Sequence, residues 1–398
     1  MAIPKLALIP SGVKAGKLYS VLPTNGDGDF TTTRNTVATR VNENGLIEEV
    51  ASNVPRLDYS DGGCPSLLLE PTATNFITYS EDFSNSSWDK AGNNVVTLNN
   101  AISPDGTLNA STVTGLDGTG TNDLYTQPTF NSSNKTVTYS VYLKGSGTLR
   151  INVSNNIDDS SSKILTLTNN WEKYFITYSF NATVSTQMVC NLDDLGATVT
   201  TYEVWGAQLE ENSYATSYIK TVGTAQTRSA DTANGAGNAS TFNDSEGVLM
   251  YQIKPIGSDG IHKRITLSDS TSTNRIIMGF DNNNNVTAAV FNGSNQAVLG
   301  GNYIGKDEMS KYALKYKASD FALWLNGFEV DSETSGGVTY PIGTLNQFRF
   351  EDGDGGLDFY GSAKQIQYFD SALNDSDLEK LTSWTSFTAM ANGQSYTI

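Results

Sequence analysis

Thr136-Val137-Thr138-Tyr139-Ser140-Val141-Tyr142-Leu143 alternates without a break, with Val137, Tyr139, Val141 and Leu143 on one face. A period of two marks a strand that buries one side. The same alternation returns in residues 148–153, 174–180 and 201–205. Clusters of Gly, Asn, Asp and Ser separate these runs at roughly ten-residue intervals, the rhythm of an antiparallel sandwich or jelly roll.

C-terminal to this region, residues 230–240 (ADTANGAGNAS) are small and polar and read as a linker. The strand–turn rhythm then resumes. Residues 275–280 face 286–291 across an Asp-Asn loop, and Asn326-Gly327 between Phe321–Leu325 and Phe328–Val330 is a strong hairpin signal. One helix is predicted near the end, capped by Asn374 with Asp377 three residues on, its apolar face carrying Leu378, Leu381 and Trp384. On the N-terminal side, residues 1–75 hold six of the ten prolines and only short extended runs, at 17–22 and 38–41. Asn44-Gly45 predicts a hairpin there. With so few apolar residues the stretch is expected to bury no core of its own and to pack on a neighbour or partner.

The expected fold is therefore all-β. An N-terminal extended segment, residues 1–75, precedes a first β-sandwich at 76–228, a linker at 229–240 and a second sandwich with one short helix at 241–398.

Composition excludes several functions. The 398 residues carry 25 Lys and Arg against 42 Asp and Glu, a net charge of −17, which disfavours nucleic acid and anionic membranes as partners. No run approaches the roughly 20 apolar residues of a membrane span, and the N-terminus lacks the apolar core of a secretory signal, so synthesis in a cytoplasm is expected. Cys64 and Cys190 fit no metal or redox spacing. His262 is the single histidine and sits between a turn and a strand. No nucleophile–base motif accompanies it, so no catalytic residue is assigned.

The N-terminal segment resembles the leader of phage virion fibre and head-spike proteins. The carriers are Asp29-Phe30-Thr31-Thr32-Thr33-Arg34, Ala38-Thr39-Arg40-Val41-Asn42, Gly45-Leu46-Ile47-Glu48, Pro55-Arg56-Leu57-Asp58-Tyr59 and Leu67-Leu68-Leu69-Glu70-Pro71. Val37 stands where that family usually has Ser. The next segment resembles the carbohydrate-binding-module-like jelly roll that follows in such proteins. Its carriers are Tyr79-Ser80-Glu81-Asp82-Phe83, Ser103-Pro104-Asp105-Gly106, Trp205-Gly206-Ala207-Gln208-Leu209-Glu210 and Thr227-Arg228-Ser229-Ala230-Asp231. The last segment is similar to concanavalin A-like or laminin-G-like sandwiches through Leu323-Trp324-Leu325-Asn326-Gly327 and Phe369-Asp370-Ser371-Ala372-Leu373. Together these imply a virion appendage, a head or tail fibre on the particle surface. Its partners would be other virion proteins, further copies of the chain (a homotrimer before a dimer) and host-surface glycans.

An exposed aromatic ring stacks on the apolar face of a pyranose while nearby polar groups bind its hydroxyls. Tyr202, Tyr214 and Tyr218 are candidates for that role, the alternative being that they pack the sandwich edge. Trp324 lies out of register with Phe321, Leu323 and Leu325, and faces either solvent or a second layer. For docking, Leu18, Tyr19, Val21 and Val41 are candidates for strand addition to a partner, with Arg34, Arg40 and Arg56 meeting its acids. Asp352, Asp354 and Asp358 are candidate calcium ligands in a Gly-rich loop, although the twelve-residue calcium-loop pattern is missing; no other cofactor is expected. Two functions follow: a structural appendage that binds glycan weakly, and, as the alternative, a glycan-degrading enzyme on the same sandwiches.

Overall fold

The computed structural model describes residues 2–304, 308–338 and 340–384. Among them are thirty-one strands and one helix, Asp375–Thr382. The all-β expectation holds, and no helix among the described residues is long and apolar enough to cross a membrane. The chain divides into two compact units, and each draws on the N-terminal region.

The first unit comprises Met1–Val37, Val50–Pro71 and Ala230–Ile398. Its core lies between two large antiparallel sheets. One sheet is centred on Glu246–Pro255, which pairs with Ser310–Lys317 and Gly361–Phe369. The other runs from the N-terminal strands through Thr232–Ala236 and Gln347–Arg349 to Asn295–Ile304. At Asn326-Gly327 both residues have positive φ, 49° and 92°, which matches the right-handed twist of the strands they join, with Leu325 opposite Phe328. The helix starts where the sequence places it: the Asn374 side chain accepts from the Asp377 N–H at 3.0 Å, and Leu378 and Leu381 are buried.

Residues 1–75 do not form one extended segment. Leu6–Leu8 and Ser66–Leu69 pair with Gly361–Phe369, and Phe30–Thr33 pairs with Thr232–Ala236. Leu6, Leu8, Leu18, Phe30, Leu67 and Leu69 are all in the core of the first unit. Each strand is too short to bury a face alone, but the sheet supplies the other strands. The run read as a linker likewise becomes a sheet strand: it pairs on both sides, and Ala233 and Ala236 are fully buried in the core of the first unit.

The second unit comprises Ala38–Glu49 and Thr72–Ser229. It is a sandwich of two five-stranded antiparallel sheets, ordered Trp88–Lys90, Asp123–Thr126, Val189–Asp193, Gly147–Ser154, Ser160–Leu167, and Val95–Ala101, Ala110–Thr114, Thr201–Glu210, Thr136–Gly145, Glu172–Ser179. Val137, Tyr139, Val141 and Leu143 point into the core as their alternation requires. The hairpin predicted at Asn44-Gly45 forms from Ala38–Val41 and Ile47–Val50.

Candidate glycan-binding cleft

The second unit carries a cleft of about 220 Å³. Its floor starts with an irregularity in strand Thr201–Glu210. Ser140 pairs with Gln208 but Tyr142 with Trp205, so Gly206 and Ala207 oppose Val141 alone. This bulge needs Gly206, whose φ is 64°. A Cβ there would lie 3.1 Å from the Tyr142 ring and 3.3 Å from that of Tyr218. The bulge leaves Val204, Ala207 and Leu209 in the core and places Trp205 in a separate cluster with Ile47, Ala101, Ala110 and Tyr218. The Trp205 and Tyr218 rings are 4.4 Å apart.

Polar groups form the walls. The Tyr218 hydroxyl donates to Glu81 Oε1 at 2.9 Å and shares a 2.6 Å hydrogen bond with Ser80 Oγ. Lys220 Nζ lies 2.8 Å from Glu81 Oε2. The hairpin adds Thr39, whose hydroxyl donates to the Tyr218 carbonyl at 2.6 Å, and Ile47, whose N–H donates to the Pro104 carbonyl at 2.9 Å. Glu48 and Glu49 follow Ile47 along the rim. Burial raises the pKa of Glu48, but hydrogen bonds from Asn42 and Arg40 outweigh it and hold the carboxyl below its ordinary value. Asp105 stands in the Ser103-Pro104-Asp105-Gly106 turn and accepts from Ser103 Oγ at 2.5 Å, the Thr107 N–H at 2.8 Å and Asn109 Nδ2 at 3.0 Å. Here too burial raises the carboxyl pKa and these donors outweigh it, so the group titrates below the usual range.

The structure redistributes the residues singled out from sequence. Tyr218 lines the cleft, although only 3% of its surface is exposed. Tyr202 is 1% exposed and packs inside the sandwich, where its position in the alternation sends it, so it offers no ring to a sugar. Tyr214 is half-buried and outside the cleft lining. Trp324 does face a second layer: it is 7% exposed and packs with Leu373, Leu378 and Leu381 around the helix.

Among the docking candidates, Tyr19 and Val21 are exposed, Val41 is half-buried and Leu18 is fully buried. Arg34 and Arg56 are buried against Asp231 and Glu70 of their own unit, and Arg40 pairs with Glu48 at 2.6 Å. These three guanidinium groups are already ion-paired within the chain. In the Gly-rich loop, Asp352 is paired with Arg264 and Arg275, Asp354 is exposed and Asp358 accepts from the Tyr360 hydroxyl. Among the described residues no three His, Cys, Asp or Glu side chains converge to hold a metal ion.

Sequence reasoning missed Glu48, Glu49, Glu81, Asp105 and Lys220. Their only signal was that four of them stand in or beside the resemblance motifs. A second polar surface escaped it as well. Across one sheet, Asp89, Tyr125, Asn191, Asn152 and Ser162 stand in cross-strand register on the face opposite buried Leu124, Leu192 and Ile151.

No protein-family model matches the chain, and no curated protein matches it. Solved structures do. The CBM40 module of the Ruminococcus gnavus IT-sialidase is similar at 17% identity over 37% of this chain and 88% of that one, with a TM-score of 0.33. The Clostridium thermocellum xylanase 10B CBM22-1–GH10 modules are similar at 13% identity over 34% of this chain and 27% of that one, with a TM-score of 0.26. The enzymatically active domain of bacteriophage CBA120 tailspike protein 4 is similar at 11% identity over 34% and 21%, with a TM-score of 0.29. These are likenesses of fold.

Proposed function

We propose that this chain is a non-catalytic subunit of a bacteriophage virion appendage and that the cleft of its second unit holds a host-surface glycan. The cleft carries the glycan reading: carboxylates and an ammonium stand at its walls, the groups a pyranose needs for its hydroxyls, while the nearly buried Trp205 and Tyr218 close the floor beneath them. The virion reading is supported by the ordered resemblance running from Asp29 to Asp231. On this reading the protein lies on the particle surface, and virion proteins seat against the exposed Tyr19 and Val21. Lys14 and Lys17 lie 5.7 and 5.5 Å from the Tyr19 ring centre.

The test is a glycan array followed by titration calorimetry on the full chain and its Glu81→Gln variant. Binding that weakens about tenfold or more in the variant supports the cleft, since a charge-assisted hydrogen bond carries roughly that much. Binding lost in Tyr125→Ala but kept in Glu81→Gln moves the site to the sheet face. No binding by any glycan ends the reading. Release of reducing or unsaturated sugar ends from host polysaccharide would favour the enzyme instead. Antibody labelling of purified particles tests the location.

A further inference from the structure

We propose that the cleft selects a sugar ring bearing a free amine and disfavours acidic sugars; this rests on the glycan reading of the same cleft. The walls contribute Glu48, Glu49, Glu81 and Asp105 against one lysine, Lys220. Glu81 is matched by Lys220 and Glu48 by Arg40. Glu49 is exposed and has no ion-pair partner among the described residues. The donors to Asp105 are hydroxyl, amide and backbone groups, so they orient its carboxylate without cancelling its charge. Two uncompensated negative charges therefore border the cleft. The floor does not offset them, since Trp205 and Tyr218 carry no positive charge.

A sugar carboxylate entering here would meet like charges in a partly dehydrated site, whereas an ammonium would gain from both. Trp205 lines the cleft at 1% exposed, and its unpaired indole nitrogen is itself covered, so the carboxylates of the walls are the groups that meet a ligand. The cleft, at about 220 Å³, is smaller than the roughly 300 Å³ at which drug-sized pockets begin, so it accommodates one ring and not an extended chain.

The experiment uses four methyl glycosides of one ring: glucosaminide, N-acetylglucosaminide, glucoside and glucuronide. Each is titrated into the full chain by calorimetry at low and high salt. The expected order has the glucosaminide tightest, by about fivefold or more over the glucoside, the size of one charge pair in water. That advantage shrinks in Glu49→Gln, in Asp105→Asn and in about 0.5 M salt, while the glucuronide binds weakest. Because Asp105 also shapes its turn, the exposed Glu49 provides the variant free of folding effects. Equal binding of glucoside, N-acetylglucosaminide and glucosaminide, each weakened by Glu81→Gln, overturns the amine preference and leaves the glycan cleft standing. A glucuronide that binds tightest overturns it too. If no glycoside responds to Glu81→Gln, the cleft reading fails and the amine preference fails with it.

Discussion

Arg56 has no exposed surface. Its guanidinium lies 2.6 Å from Glu70 and bonds Asp231, which also takes Arg34 at 3.0 Å. Two cations and two carboxylates thus balance inside the first unit, and Arg34 further donates to the carbonyls of Ala51 and Val54 at 2.7 and 3.1 Å. The residues that carry the phage resemblance are, at this node, a device for tying three separated chain segments together. Arg56→Ala is expected to cost about 3–5 kcal/mol, because it strands buried carboxylates. Denaturant unfolding measures this, and a loss under about 1 kcal/mol would remove Arg56 from the structural role. A different carboxylate governs acid behaviour. Burial pushes the pKa of Asp194 up, but the Asn122 amide and the N–H groups of Asp117, Gly118 and Asn122 prevail and hold it well below the usual range. A folded-state pKa below the unfolded one gives stability that is complete above about pH 4 and is lost as pH falls toward the folded value. Asp194→Asn should therefore cost about 1–3 kcal/mol near neutral pH, and the difference should close on acidification. Urea midpoints across the acid range read this out, and a difference constant with pH would contradict it.

The N-terminal strands act at the scale of elements. Leu6, Leu8, Leu18 and Phe30 are completely buried, and the Phe30 ring lies 5.9 Å from Phe348 and 5.4 Å from Phe350. Full burial of each such side chain is worth about 1.5–3 kcal/mol, so together they rival the roughly 5–15 kcal/mol that holds a domain folded. Deleting residues 1–37 is expected to abolish the cooperative melt of the first unit or to cause aggregation. A soluble fragment 38–398 with an unchanged melt would restore the picture of a dispensable docking arm. The hairpin Ala38–Val41/Ile47–Val50 illustrates how an element acquires function by placement. Its Asn-Gly turn was legible, but its role as a cleft wall comes from where Ile47 meets Pro104.

At the scale of the molecule, the proposed cleft for one ring would bind weakly, because a small ligand contributes few contacts. An appendage gains strength by presenting several such sites together, where avidity adds about 10²–10⁴-fold without new contacts. Closed symmetry suits a projecting structure, and a trimer is the expected assembly. Light scattering should return three times the 42.8 kDa of one chain. A clean monomer at micromolar concentration would count against self-assembly of the free chain.

The sequence by itself determined the local structure. Alternation at 136–143 told which residues share a face, Asn326-Gly327 told where a hairpin turns, and Asn374 told where the helix begins. These are interactions among residues adjacent in the chain, and the chemistry of each is written in its neighbours. The sequence did not determine which faces would be covered. Trp324 read as a candidate because alternation is silent on whether a second layer lies above a strand, whereas Tyr202 shares the core face of its strand with Val204, as alternation itself requires. The partition of residues 1–75 and the strand at Thr232–Ala236 escaped for the same reason: their partners stand far along the chain, as Tyr368 does from Leu6, Asp231 from Arg56 and Arg349 from Asn234. The cleft is the plainest case, drawing on Thr39, Glu81, Asp105, Trp205 and Lys220. Only the pairing of distant strands brings those side chains to one place, and that pairing is fixed by burying a common core and not by any local pattern.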